Sequence, residues 1–183
     1  MTQLDDRFGP LVDVDPNAWV HQSACLFGKI RVASRASIWP QAVIRSEMHH
    51  VEIGEGSNIQ DFCMIHVGYE TPAIIGRMCS VTHHATVHGA TLGDNVLIGI
   101  NATIMDGAEI GDNSIVAGNA LVREGTKIPP NSIVAGVPAR VIATRDNRAA
   151  NIQNAEFYIQ NAIAYAHGIH RMQDWPKDGL NPT

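Results

Sequence analysis

Large aliphatic residues recur at every sixth position over most of the chain, and this period restricts the fold more than any other feature. Four runs keep the period, and the phase shifts only between runs. An α-helix has a period of about 3.6 residues and a strand one of about 2, so neither alone produces this pattern. The positions are Val14, Val20, Leu26, Val32, Ile38, Ile44, Ile53, Ile59, Ile65, Ile75, Val81, Val87, Leu92, Ile98, Ile104, Ile110, Val116, Val122, Ile128 and Val134.

A unit of six residues suits one short strand followed by one corner, with the large aliphatic side chain pointing inward. Three such units close one triangular coil, so these positions predict six to seven coils. Successive coils would lie about 4.8 Å apart, which is the spacing of hydrogen-bonded strands. The predicted fold is therefore an all-β solenoid of parallel strands.

The period ends near the segment 136–138, Gly-Val-Pro, and a different pattern follows it. From about Asn147, apolar residues recur three and four positions apart, which indicates an amphipathic α-helix packed along the solenoid. We predict three regions: an N-terminal arm over 1–10, a β-helix domain over 11–142, and a C-terminal α-helix and tail over 143–183.

Charge and hydropathy restrict the kind of partner. The chain has 13 Lys and Arg against 18 Asp and Glu and contains no basic run, which argues against nucleic acid or an anionic membrane as a partner. The sequence shows neither a transmembrane segment nor a signal peptide, so we expect a cytoplasmic protein. Its three cysteines have no metal-ligand spacing and are predicted to be core residues.

The six-residue register gives positions to the polar residues. Arg45, His66 and His88 each directly follow an inward aliphatic residue. If the phase shifts are loops that drop no unit, these three residues stack in adjacent coils, and His66 and His88 lie close enough to share a metal ion. His83 falls on the preceding face, in a column with Asp61, and points elsewhere. It can act as a third ligand only if a second subunit brings its own copy to the site.

Several segments resemble the γ-class carbonic anhydrases, which are hexapeptide-repeat proteins. The segments are SIWPQAVIR, SNIQDFCMIH, VTHHATVHG, GDNVLIGINATIMDGAEIG and VAGVPARVI. The resemblance implies a left-handed parallel β-helix, although parallel crossovers are right-handed in nearly all other folds. It also implies a homotrimer that holds Zn²⁺, with Fe²⁺ or Co²⁺ as alternatives, by His66 and His88 of one subunit and His83 of its neighbour.

The resemblance implies roles for further residues. Gln60 matches a glutamine that hydrogen-bonds the metal-bound water or hydroxide. Asp61 matches an acid that pairs with an arginine of the adjoining subunit, and Arg45 occupies that arginine's position. Asn58 matches a polar residue of the same strand, and Tyr158, within AEFYIQNA, matches a tyrosine that approaches the metal.

Two departures from the family pattern concern acidic residues. Glu47 stands where the family commonly has aspartate, so its side chain is one methylene longer. The best-known enzyme of the class carries a long acidic loop after its first histidine, with a glutamate proposed to shuttle protons. Here only 67–74 intervene, with Glu70 as the sole carboxylate, and His49 and His50 are the other candidates for proton export.

The resemblance predicts a lyase, carbonic anhydrase, in which a metal-bound hydroxide at a trimer interface attacks carbon dioxide to give bicarbonate. Hexapeptide proteins also include acyltransferases that use coenzyme A, and a metal-dependent CoA-thioester hydrolase is a related alternative. A third alternative is a non-catalytic trimeric subunit of a larger assembly. The fold alone does not choose among them.

Overall fold

The chain forms a triangular solenoid of parallel β-strands, with one α-helix along its side. The computed structural model describes residues 7–176, and the predicted N-terminal arm and tail lie partly outside them. One of the three faces of the solenoid contains eight strands, of which seven are parallel and the last is antiparallel. Each parallel strand of this face belongs to one coil, so the solenoid has seven coils, in agreement with the number predicted from the sequence.

Each face consists of strands stacked in parallel register. The first face contains β3 (Cys25–Val32), β5 (Val43–Ile53), β7 (Met64–His66), β10 (Thr86–His88), β13 (Thr103–Ile104) and β16 (Leu121–Val122). The second face contains the ends of β3 and β5, which bend around the corner, together with β1 (Val12–Val14), β8 (Ala73–Ile75), β11 (Thr91–Leu92), β14 (Glu109–Ile110) and β17 (Lys127–Ile128). The third face contains β2 (Trp19–Val20), β4 (Ser37–Ile38), β6 (Asn58–Ile59), β9 (Ser80–Val81), β12 (Leu97–Ile98), β15 (Ile115–Val116) and β18 (Ser132–Gly136).

The aliphatic residues of the six-residue period fill the interior of the prism. All of them are buried except Val14 and Val20, which are partly buried. On the first face, Ile65 is the register partner of both Ile44 and Val87, so like side chains stack from coil to coil. Truncating one of these residues to alanine would cost about 2–5 kcal/mol, because neighbouring coils cannot close the cavity.

The corners turn through residues with positive φ. One corner column contains Gln41, Phe62, His84, Asn101 and Asn119, with φ between 58° and 61°. Asparagine tolerates this left-handed conformation better than most residues. The backbone N–H of each of the last three donates to a carbonyl of the coil before it, which fixes the corner.

Beyond β18, the chain reverses into β19 (Ala139–Thr144), which pairs antiparallel with β18. The helix α1 (Arg148–Ala166) follows, and its first N–H donates to Asp146 Oδ1 at 2.9 Å. It packs across β2, β4, β6 and β9 of the third face. A short 3-10 helix, Met172–Asp174, comes after α1.

Polar and aromatic groups fix α1 at both ends. Near its start, Asn151 Nδ2 donates to the carbonyl of Asn95 at 2.7 Å. Near its end, the ring of Tyr165 lies 5.8 Å from Trp19 and 5.0 Å from Trp39.

Among the residues that the structure describes, no helix is both long and apolar enough to cross a lipid bilayer.

Candidate metal centre

Arg45, His66 and His88 form one row across the first face. Arg45 is the register partner of His66, and His66 is the register partner of His88. The prediction that these residues stack in adjacent coils is confirmed. His66 and His88 are the last residues of β7 and β10, and Arg45 lies beside them within β5.

The two histidines of the row direct nitrogen atoms at each other. His66 Nδ1 lies 2.9 Å from His88 Nε2, and the ring centroids are 4.8 Å apart. Two ligands of a tetrahedral zinc ion, each about 2.0–2.1 Å from the metal, are about 3.3 Å apart. If the two nitrogen atoms moved apart by a few tenths of an ångström, the pair would therefore fit a shared ion.

A carboxylate lies behind each histidine of the row. Glu47 Oε2 is 2.9 Å from His66 Nε2, and Asp106 Oδ1 is 2.8 Å from His88 Nδ1. Each ring can thus donate an N–H to a carboxylate and turn its other nitrogen to the common point. Metal-binding histidines in proteins are typically oriented in this way, so the donor set fits a divalent metal. We call Arg45, Glu47, His66 and His88 the paired-histidine half.

His83 lies at the corner between the third and first faces, where Asp61 orients it. His83 Nδ1 is 3.0 Å from Asp61 Oδ2, which leaves Nε2 available as a ligand. We call these two residues the single-histidine half. Within residues 7–176 of one chain, no three His, Cys, Asp or Glu side chains are arranged to hold a metal. One chain therefore carries the two halves at different corners.

Arg45 and Asp61, which the resemblance pairs between subunits, each have another partner within the chain. A guanidinium nitrogen of Arg45 contacts Glu47 Oε1, and Asp61 contacts His83. Glu47, with its longer side chain, thus bridges Arg45 and His66.

Burial, together with the charges of Arg45 and His88, lowers the pKa of His66. The Asp106 carboxylate acts in the opposite direction, because a nearby negative charge favours a protonated imidazole. A neutral imidazole is the form that binds a metal.

Gln60 and Asn58 lie on the third face in a buried polar chain. Gln60 Nε2 donates to Asn58 Oδ1 at 2.9 Å, and Asn58 Nδ2 donates to Ser80 Oγ at 3.0 Å. Tyr158 comes from α1, and its ring packs 5.3 Å from Trp39. Burial raises the pKa of Tyr158, and the charge of Asp61 adds to this effect, so the hydroxyl stays protonated as a donor.

Two residues of the site were not predicted from the sequence. Asp106 lies one coil beyond His88, and Thr71 Oγ1 donates to Asp106 Oδ1 at 3.3 Å. The register contained the signal for Asp106, since it occupies the same place after Ile104 that Asp61 occupies after Ile59. Thr71 belongs to a loop, and no period places a loop residue.

The candidates for proton export lie to one side of the row. The Nδ1 atoms of His49 and His50 are 2.9 Å apart, and His50 Nε2 lies 3.7 Å from Glu52. Glu70 is exposed in the loop that follows β7. Their role stays a prediction.

Sequence comparison identifies relatives with related repeats. The family model "Bacterial transferase hexapeptide (six repeats)" matches residues 89–124. A Methanocaldococcus jannaschii protein named "Probable carbonic anhydrase" is 41% identical over 91 residues, covering 50% of this chain and 57% of the relative. "Gamma carbonic anhydrase 2, mitochondrial" of Arabidopsis thaliana is 36% identical over 103 residues, covering 53% and 36%. The chain thus spans only part of these curated relatives.

Structural comparison extends the likeness to most of the chain. A hexapeptide transferase family protein of Anaplasma phagocytophilum aligns with a TM-score of 0.82 and 28% identity, over 87% of this chain and 96% of that one. A Bacillus cereus protein whose name places it with acetyltransferases has the same TM-score and 30% identity, over 85% and 92%. The expected left-handed parallel β-helix is confirmed by these neighbours.

Proposed function

This chain belongs to the hexapeptide-repeat family, with γ-class carbonic anhydrases among its curated relatives, and on that premise we propose that it catalyses the reversible hydration of carbon dioxide to bicarbonate. The observation that carries the proposal is the convergence of His66 Nδ1 and His88 Nε2 at 2.9 Å, with a carboxylate behind each ring.

The ligand set would be completed between copies of the chain. His66 and His88 of one subunit and His83 of its neighbour would hold Zn²⁺, or Fe²⁺ or Co²⁺, in a homotrimer. When bound, such a metal acidifies water so that hydroxide forms near neutral pH. Glu47, Asp106 and Asp61 keep the three rings in the required tautomer and orientation.

The other polar residues act on the substrate side. Gln60 would hold the reacting oxygen by a hydrogen bond, with its own amide braced by Asn58. Tyr158, protonated because burial raises its pKa, would donate to an oxygen of carbon dioxide or bicarbonate. Arg45 would attract the anionic product and balance the charge of Glu47. The overall reaction consumes carbon dioxide and water and yields bicarbonate and one proton.

Metal content and stopped-flow hydration assays test the proposal. We expect one equivalent of metal per subunit after anaerobic purification, and hydration of carbon dioxide by the zinc, iron or cobalt form well above the buffer rate. Metal far below one equivalent, or rates equal to buffer in all three forms, would contradict it.

A competing proposal is acyl transfer from coenzyme A or hydrolysis of a CoA thioester. The Bacillus cereus neighbour supports it, because it aligns over 92% of its length and is named for acetyltransferases. These reactions are separated by assay: consumption of acetyl-CoA that requires an added amine or alcohol acceptor and no metal would favour acyl transfer, and consumption that requires metal and no acceptor would favour the hydrolase.

A further inference from the structure

Phe62 occupies a backbone position that disfavours an aromatic residue. Its φ is +60°, in the left-handed region, where a bulky side chain is a conformational outlier. Asn101 and Asn119 occupy equivalent corners in later coils. Asparagine would therefore be the less strained choice at position 62, and strain of this kind tends to occur where a side chain has a function.

Burial does not compensate for this strain within one chain. Phe62 is 55% exposed, although it is one of the larger apolar residues. Its ring stacks on that of His84, with centroids 4.9 Å apart and planes inclined by 2°. His84 is also exposed and has a φ of +60°. The fold thus presents two parallel, stacked aromatic rings at the surface.

The stack lies beside the single-histidine half. Phe62 directly follows Asp61, and His84 directly follows His83, so the two pairs occupy the same two coils. Ile100, which is 55% exposed, lies in the next coil, where Asn101 N donates to the carbonyl of His83. Exposed apolar side chains, Phe62 and Ile100, therefore lie beside the single-histidine half.

Exposed apolar residues also lie beside the paired-histidine half. Phe27, which is 38% exposed, is the register partner of Arg45. Met48 directly follows Glu47, and Tyr69 lies in the loop after β7; both are largely exposed. Each half of the candidate centre thus carries polar ligands within an apolar border, and the two borders lie on different corners of one molecule.

We propose that the Phe62–His84 stack is the apolar contact that seats the single-histidine half of one copy on the paired-histidine half of a second copy. This inference rests on the proposed function, since only a second copy brings His83 to His66 and His88. Aromatic residues are enriched at the centres of interfaces, and a ring held in place before association loses little entropy. The contact joins unlike surfaces, so copies repeat head to tail, and they form the ring of the proposed homotrimer when the rotation between copies closes.

The test is the self-association of Phe62→Asn, measured by sedimentation equilibrium with and without zinc. Asparagine suits the corner, so we expect the free energy of unfolding of the dissociated variant to equal or exceed that of the dissociated parent chain. We expect its dissociation constant between copies to rise at least about tenfold. Its zinc affinity, measured by chelator competition, should fall with it.

Two further variants serve as controls. Phe62→Tyr keeps the stacked ring and should associate like the parent chain. Ile142→Asn removes a somewhat more exposed apolar side chain from β19, at the end of the solenoid, and should also leave association unchanged.

The outcomes separate this inference from the proposed function. Unchanged association of Phe62→Asn, or an equal loss in Phe62→Tyr or Ile142→Asn, overturns the role of the stack. A parent chain that is monomeric at all concentrations, with and without zinc, contradicts the shared metal site itself, and the inference falls with it.

Discussion

At the scale of single residues, the candidate centre depends on carboxylates as much as on histidines. His66, His83 and His88 each face one acid, and Asp106 contacts both His88 and Thr71. An acid at this distance fixes which ring nitrogen carries the proton. A ring without it can turn or take the other tautomer, so a ligand nitrogen is lost part of the time.

Asp106→Asn should therefore weaken zinc binding about 10–100-fold while leaving the fold intact, because it removes the charge behind His88. Zinc affinity measured by competition with a chromogenic chelator is the readout. Asp112→Asn is the matched control: Asp112 also lies at a corner, but it accepts from the backbone N–H of Asp94 and not from a histidine. Equal losses in the two variants would show a general effect of corner acids.

The buried thiols give a prediction on pH. Burial raises the pKa of Cys63 and of Cys79 from 9.0 to about 12. The folded chain therefore keeps protons that the unfolded chain releases, so this contribution to stability is full below about pH 9 and is lost as pH rises toward 12. The urea midpoint should fall between pH 8 and 10.5, and fall less in Cys63→Ala. An equal decline of the urea midpoint in both proteins would exclude the Cys63 thiol as the cause.

At the scale of elements, two glycines of one corner column differ in their surroundings. Gly89 follows His88 with a φ of +54°, and a Cβ there would overlap Asp106 Oδ1 and Thr71 Oγ1. Gly125 has a φ of +64° and open space around it. Substitutions at these two glycines therefore distinguish the effect of backbone strain from that of steric conflict with the candidate centre.

Gly89→Ala should destabilise the chain by more than Gly125→Ala, for which the left-handed conformation alone costs about 1–2 kcal/mol. Gly89→Ala should also weaken zinc binding, because Asp106 must move away from His88. Urea denaturation and chelator competition measure the two effects. Normal zinc affinity in Gly89→Ala would mean that Asp106 is not needed at its present position.

The elements also show what the sequence could predict. Coil number, stacking of His66 on His88, and the separate column of His83 all followed from the six-residue period, because an aliphatic core imposes register on its neighbours. The contact of Thr71 with Asp106 did not, because loop conformation depends on side chains that the loop meets after folding. The bridge from Glu47 to His66 depends on side-chain conformation, which spacing does not reveal.

At the scale of the whole molecule, the proposed centre would be shared between subunits. His83→Ala and His88→Ala subunits should each be inactive alone, since each substitution removes a ligand from one half of every site. After mixing, unfolding and reassembly in equal amounts, about a quarter of the interfaces should combine two intact halves. Recovered hydration activity, with zinc content rising in proportion, is the expected result. A mixture as inactive as its components would contradict a site shared between subunits.

The helix α1 has a further consequence for how the solenoid comes apart. A stack of coils that touch only their neighbours can fray from either end, one coil at a time. Here Asn147, directly before α1, donates a hydrogen bond from Nδ2 to the carbonyl of Asn113. Near the other end of α1, Tyr165 packs on Trp19 in the first coil. One rigid element thus ties distant coils together, so early and late coils should be lost in a single cooperative step, and both histidine halves should persist or vanish together.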